Sequence, residues 1–232
     1  MTARDETLAR IRTALGTTQS SADGGGADQP GELPRGDRLR GEAGPDELPR
    51  TYRLRGEASP DELSSLFAER LTDYRATVLR TTQGDLGAVI ARTLARRGVR
   101  RVVVPPGLDL PPLPAGVQAV ADDGFSAAEL DSFDGAITGA AAAIAETGTI
   151  ILDGSPGQGR RAITLVPDYH LCIIHTGQIV ALVPEAIERL TPDRPLTWIS
   201  GPSATSDIEL QRIEGVHGPR TLDVILVEPS RD

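Results

Sequence analysis

Apolar positions along the chain change period several times, and each change marks an expected element. Leu8, Ile11 and Leu15 recur at three- and four-residue spacings, which predicts a short amphipathic helix within residues 1–15. The pattern then lapses. Across residues 16–58, glycines, prolines and scattered charges leave too few apolar groups to offset the cost of ordering, so this stretch reads as a flexible arm or loosely tethered linker. It contains an imperfect repeat, since Arg38 to Leu48 recurs as Arg53 to Leu63. Only the second copy can start a helix. Ser59-Pro60-Asp61-Glu62 supplies an N-cap serine, a proline at the first helical position and a glutamate that closes a capping box, whereas the first copy meets Pro49 after one turn.

From residue 59 to 232 the periodicity alternates in type, and a single α/β domain accounts for it. Leu63, Leu66, Phe67 and Leu71 lie at helical spacing. Ala76–Leu79 reads as a strand, a helix beginning at Thr82 or Gly84 runs to Gly98, and Arg101–Val104 is the next strand. A helix between two apolar strands predicts parallel pairing through a right-handed crossover. Further strands are expected at residues 117–120, 135–139, 150–152, 162–166, 171–174, 196–200 and 223–227. Ser126 and Glu129 form a second capping box, and the alanine-rich stretch before Glu146 reads as a turn with tight helix packing. His175-Thr176-Gly177-Gln178 reads as the turn of a hairpin returning through residues 179–183, and Pro184 opens a further helix. The expected architecture is one mixed, mainly parallel sheet flanked by helices.

Composition narrows the function classes. A formal charge of -9 and a pI near 4.9 argue against a nucleic-acid binder, which needs a concentrated basic surface. No lysine occurs, so Schiff-base chemistry is excluded and no Walker loop can be completed. Cys172 is the only cysteine, which rules out an internal disulfide and an iron–sulfur cluster held by this chain's thiolates alone. No apolar run reaches the roughly 18–20 residues of a membrane span, and the acidic N-terminus resembles neither a secretory signal nor a transit peptide, so the default location is the cytoplasm.

Candidate chemistry gathers at the ends of predicted strands, where open α/β sheets place ligands. Glu146 precedes Thr147-Gly148-Thr149 and a strand, and its carboxylate can act as a base, a nucleophile or an acceptor ordering the turn. The loop from Gly154 through Gly157 and Gly159 ends in Arg160 and Arg161, and reads either as an anion cradle or as a solvated loop. Gly201, Ser203, Thr205, Ser206 and Asp207 follow a strand, and a hydroxyl capping a short helix there would make a second anion site. His170, Cys172 and Asp168 share one strand face, yet no metal is assigned to them, and Cys172 reads as a small buried residue. His217, before Gly218-Pro219, is the best functional histidine by its turn context, with a structural turn role as the alternative.

Four stretches together carry a resemblance: Glu146-Thr147-Gly148-Thr149, Pro167-Asp168-Tyr169-His170, the run from Gly201 to Glu209, and Gly215-Val216-His217-Gly218-Pro219. They are similar to the LUD-domain family, in its lactate-utilisation branch, over about residues 61–228. The resemblance implies a NagB/RpiA/CoA-transferase-like fold and a part in oxidising L-lactate to pyruvate with separate iron–sulfur proteins. Those partners would carry the clusters, and this chain would bind a small carboxylate and no cofactor of its own. On that reading Arg160 or Arg161 meets the carboxylate, and Glu146 or His217 orients or deprotonates the hydroxyl. Ala145-Glu146-Thr147-Gly148 also resembles the glutamate-bearing stretch of some CoA-transferases, with alanine and threonine in place of serine and asparagine. A CoA-transferase-like or sugar-phosphate-type enzyme using Glu146 is therefore the alternative, beside a non-catalytic regulatory or assembly protein.

Overall fold

The capping box at Ser59 opens the first helix of the computed structural model, which describes residues 52–191, 193–206, 212–214 and 218–229. The expected helix in residues 1–15 and the linker up to residue 51 lie outside the described residues. In α1 (Pro60–Asp73) the Glu62 carboxylate accepts the Ser59 N–H at 2.8 Å, and Phe67 and Leu71 are fully buried. The chain then forms β1 (Thr77–Thr82), α2 (Leu86–Arg97) and β2 (Arg101–Val104). Asp85 is the N-cap of α2, a few residues later than the sequence suggested, and Gly98 ends the helix in the left-handed conformation at φ 68°.

Beyond β2 come β3 (Gln118–Ala121), α3 (Ala127–Leu130), β4 (Gly135–Thr138), β5 (Ala142–Ile144) and β6 (Thr149–Leu152). A short 3₁₀ turn at Arg161–Thr164 precedes β7 (Tyr169–His175), and β8 (Ile179–Val180), α4 (Val183–Arg189) and β9 (Thr197–Ile199) follow. A two-stranded antiparallel ribbon, β10 (Ala204–Ser206) with β11 (Arg212–Glu214), leads towards the last strand, β12 (Thr221–Glu228).

Two larger sheets result, where the sequence suggested one. The first has six strands in the order β1-β12-β7-β4-β2-β3, and every neighbouring pair is parallel. Its middle strands are apolar on both faces because both faces are covered. On one side α2 packs Leu86, Ile90 and Leu94 against Ile137, Leu171 and Ile225. On the other, Phe67 and Leu71 of α1 join Cys172, Ile174, Val224 and Leu226. The second sheet, in the order β8-β5-β6-β9, shares that second core through Ala143, Ile150 and Leu152. Its outer face buries Ile144, Ile151 and Val180 under Ala186 of α4.

Three local expectations are corrected by this arrangement. The alanine-rich stretch is a strand, paired on both sides with β6 and β8 inside the second sheet; Ala142 and Ala143 are fully buried. Residues 162–166 are not a strand: the Thr164 hydroxyl donates to the Arg161 carbonyl at 3.0 Å, closing a turn that buries Ile163. The stretch 171–183 is not a hairpin either. β7 pairs within the parallel sheet, and a 3₁₀ turn at Thr176–Gln178 carries the chain into the other sheet, where β8 pairs with β5 in parallel.

The segment from residue 52 to 58 runs as a strap along the second sheet. Arg53 pairs with Glu146, Arg55 reaches Glu188 at 2.6 Å, and the Gly56 N–H donates to Glu185 at 3.0 Å. Gly56 passes so close to Ala181 that a Cβ would overlap it, at 2.2 Å.

Candidate functional site

A cavity of about 510 Å³ opens where the amino ends of β7 and β12 meet β9 and the turn after it. Arg161, Thr164, His170, Trp198, Ser200, Gly201, Ser203, Gly218 and Pro219 are among its walls. Ligands of open parallel sheets usually bind at the carboxyl ends of strands, so this position departs from the expectation. A smaller crevice of about 270 Å³ does lie near the carboxyl ends of β4 and β7, beside Gly139, Gly157 and His175. The larger cavity is the one that gathers the sequence motifs.

Each wall has a local cause. Arg161 begins the 3₁₀ turn, is exposed, and its guanidinium has no partner among the described residues. Ser200 directly follows β9, and its Oγ lies 2.8 Å from the Thr149 hydroxyl, which lies 2.7 Å from that of Thr147. This hydroxyl chain ties the Glu146–Thr149 turn to the cavity wall. Two of the expected glycines make close packing contacts. A Cβ on Gly148, at φ 60°, would sit 2.6 Å from the Arg70 Cβ, and one on Gly201, at φ 84°, would sit 2.5 Å from the Tyr74 Cβ. Both turns therefore press against α1 and the residue that ends it.

The floor of the cavity holds His170, which is 1% exposed. Its Nε2 lies 2.8 Å from the Thr138 hydroxyl. Burial pushes the imidazole pKa down to about 4, so the ring is neutral at physiological pH. Cys172, next along the same face, is equally buried and its thiol is pushed up to about 12. A thiol so high is not a nucleophile at neutral pH. Asp168 stays on the surface, accepting from the Arg220 guanidinium at 2.7 Å, and that cation holds its carboxyl below the usual range. Among the described residues no group of three or more His, Cys, Asp or Glu side chains could hold a metal ion.

The other expected site residues are dispersed. Arg160 turns away to grip Asp122 with two bonds, at 2.6 and 2.9 Å, and the Phe125 carbonyl at 2.5 Å. Gly157 is folded into its own loop, donating to the Pro106 carbonyl at 2.9 Å while its carbonyl accepts from Gly139 at 2.8 Å. Gly159 lies against Ile163 and Pro105. Within the stretch from Gly154 to Arg161, Gly157 and Gly159 are thus packed while Arg161 stays exposed at the cavity. Glu146 pairs with Arg53 and is not among the residues lining the cavity. Thr205 and Ser206 belong to the ribbon strand β10 rather than to a helix start. Asp207 and His217 lie outside the described residues.

Sequence reasoning missed His170, Thr164, Trp198 and Ser200 as cavity walls. A signal was present for Trp198: in β9 it alternates with Thr197 and Ile199, and it is 42% exposed on an edge strand. Nothing local marked Thr164. No helix of the described residues is long and apolar enough to cross a membrane.

The LUD domain model matches residues 65–227. A lactate utilization protein C from Deinococcus radiodurans is 49% identical over 166 residues, covering 69% of this chain and 77% of that protein. Another, from Geobacillus kaustophilus, is 30% identical over 183 residues, covering 67% of this chain and 72% of the other. A crystal structure of a DUF162 family protein from Deinococcus radiodurans superposes with a TM-score of 0.64 at 40% identity, over 74% of this chain and 99% of that one.

Proposed function

The chain belongs to the LUD-domain family, in its lactate utilization protein C branch, and from that premise we propose that it is the carboxylate-binding component of a system that oxidises L-lactate to pyruvate. The observation that carries this reading is Arg161, an arginine without an ion-pair partner among the described residues, at a cavity that also presents Ser200 and Ser203. A guanidinium matches a carboxylate with two parallel N–H donors, and hydroxyls serve the remaining oxygens. A volume near 510 Å³ is ample for a short 2-hydroxy acid.

The electrons leave through separate iron–sulfur proteins. This chain has one cysteine, buried and protonated, so any clusters of the system sit on partners. The fold adopted in this reading is of the NagB/RpiA/CoA-transferase type. Glu146 acts as the anchor of the strap rather than as the reacting carboxylate, because it is paired with Arg53 outside the cavity.

The test is L-lactate-dependent electron transfer by the purified iron–sulfur partners, with and without this chain. Turnover is expected to require it. Arg161→Gln should raise the KM for lactate about ten- to a hundredfold, the cost of one or two charge-assisted hydrogen bonds, and Glu146→Gln should leave it unchanged. Turnover that persists at full rate without the chain refutes the proposal.

A further inference from the structure

The cavity floor contains a chain of hydrogen bonds that the binding of a carboxylate does not use. His170 Nε2 meets the Thr138 hydroxyl at 2.8 Å. That hydroxyl donates to the Cys172 sulfur at 3.9 Å, and the thiol in turn donates to the Gly139 carbonyl at 3.7 Å. The two sulfur bonds are weak, but the chain has a direction because its last member can only accept. The carbonyl takes the thiol proton, the sulfur takes the threonine proton, and the threonine oxygen is left to accept from His170 Nε2–H. The other ring nitrogen, Nδ1, is then a bare lone pair. It has no partner among the described residues, although the ring is 1% exposed and borders the cavity.

A buried nitrogen of this kind costs free energy unless something in the cavity donates to it. A carboxylate has no proton to give, and neither has a 2-oxo group. A 2-hydroxyl has one. We infer that His170 Nδ1 accepts the hydroxyl proton of a short 2-hydroxy acid, so the pocket selects the hydroxy acid over the corresponding 2-oxo acid. This rests on the carboxylate-pocket reading above and adds to it the residue that distinguishes the two oxidation states of the ligand. His170 is here a recognition residue, with Thr138 and Cys172 setting its tautomer. The neutral thiol and the neutral ring are both consistent with the burial of this row.

The experiment is calorimetric titration of the full chain with L-lactate, pyruvate and propionate, which carry a hydroxyl, an oxo group and no oxygen at the second carbon. Wild type is expected to bind lactate about tenfold more tightly than the other two, the worth of one buried hydrogen bond. Thr138→Val, which removes the acceptor that fixes the tautomer while keeping the shape, should lose that preference and retain binding. Nitrogen NMR of histidine-labelled protein tests the tautomer without any ligand, and should show the His170 Nδ1 unprotonated at neutral pH. If all three acids bind equally to wild type, or Nδ1 carries the proton, the inference falls while the pocket stands. If none of the three binds, the carboxylate-pocket reading falls first and takes the inference with it.

Discussion

The buried carboxylate of Asp223 offers the most direct check on the energetics of the frame around the cavity. It lies on β12 at 0% exposure and accepts from three side chains. Arg97 of α2 grips it with two bonds, Nε at 3.1 Å and Nη2 at 2.6 Å, the Tyr169 hydroxyl donates at 3.1 Å, and Arg96 approaches to 3.4 Å. Asp223→Ala removes the common acceptor. Breaking a buried ion pair from one side costs about 3–5 kcal/mol. Here the lower end applies, because the side chains of Arg97 and Arg96 are 32% and 50% exposed and water can solvate them again. The Tyr169 hydroxyl has no such recourse, and an orphaned buried hydroxyl costs about 1–3 kcal/mol. The expected loss is therefore about 3 kcal/mol, or about 6–12 °C in Tm for a domain of this size. Urea unfolding should show a lower midpoint at unchanged m-value. In a double-mutant cycle with Arg97→Ala, the two losses should fall short of additivity by about 1 kcal/mol or more. Strict additivity, or a loss for Asp223→Ala below about 1 kcal/mol, would mean that the network is a surface convenience and the reasoning is wrong.

Burial lowers the His170 pKa from 6.5 to about 4, so the unfolded chain binds this proton first as pH falls. The stability it confers is complete above pH 6.5, drains away towards pH 4, and amounts to about 3 kcal/mol; His170→Leu should flatten the stability–pH curve within that window, and an unchanged slope by urea titration would contradict the burial argument. Gly148→Ala places a Cβ 2.6 Å from the Arg70 Cβ at a φ of 60°, so it should destabilise by about 1–3 kcal/mol, read as a fall in thermal midpoint that Ala substitution at the open, negative-φ turn glycine Gly177 does not reproduce.

Elements whose cause is local were legible in the sequence. The Ser59 and Ser126 capping boxes form as read, and α2 ends at its left-handed Gly98. The errors arise where the decisive partner is distant. The alanines of β5 have weak strand propensity, but they lie on an inner strand of the second sheet, paired with β6 on one side and β8 on the other. The apolar runs on either side of Thr176-Gly177-Gln178 look like a hairpin because local pattern does not encode which sheet a strand joins. Gln178 shows the physical answer: its side chain donates to the Ala140 carbonyl at 2.5 Å and accepts from the His175 N–H at 2.8 Å, pinning the turn where the chain leaves one sheet for the other.

The site was half legible for a related reason. Residue type identified Arg160 and Arg161 equally, and only tertiary placement separates them: Asp122 consumes the first, while the second is left at the cavity. The glycines at 148 and 201 answer a constraint that no local pattern shows, the close approach of α1 and Tyr74. The sequence places His170 on a strand face with Cys172 and Asp168 and assigns no metal there, because the pattern of one strand does not show which cavity it borders. It is core: burial keeps the ring neutral, and its Nε2 meets the Thr138 hydroxyl at 2.8 Å beside the cavity that His170 helps to line. A solvent-exposed histidine would titrate near pH 6.5 and exchange its tautomers freely. Selectivity between a hydroxyl and an oxo group needs the opposite, a ring with a fixed proton, and in this fold the inner row of the parallel sheet provides it.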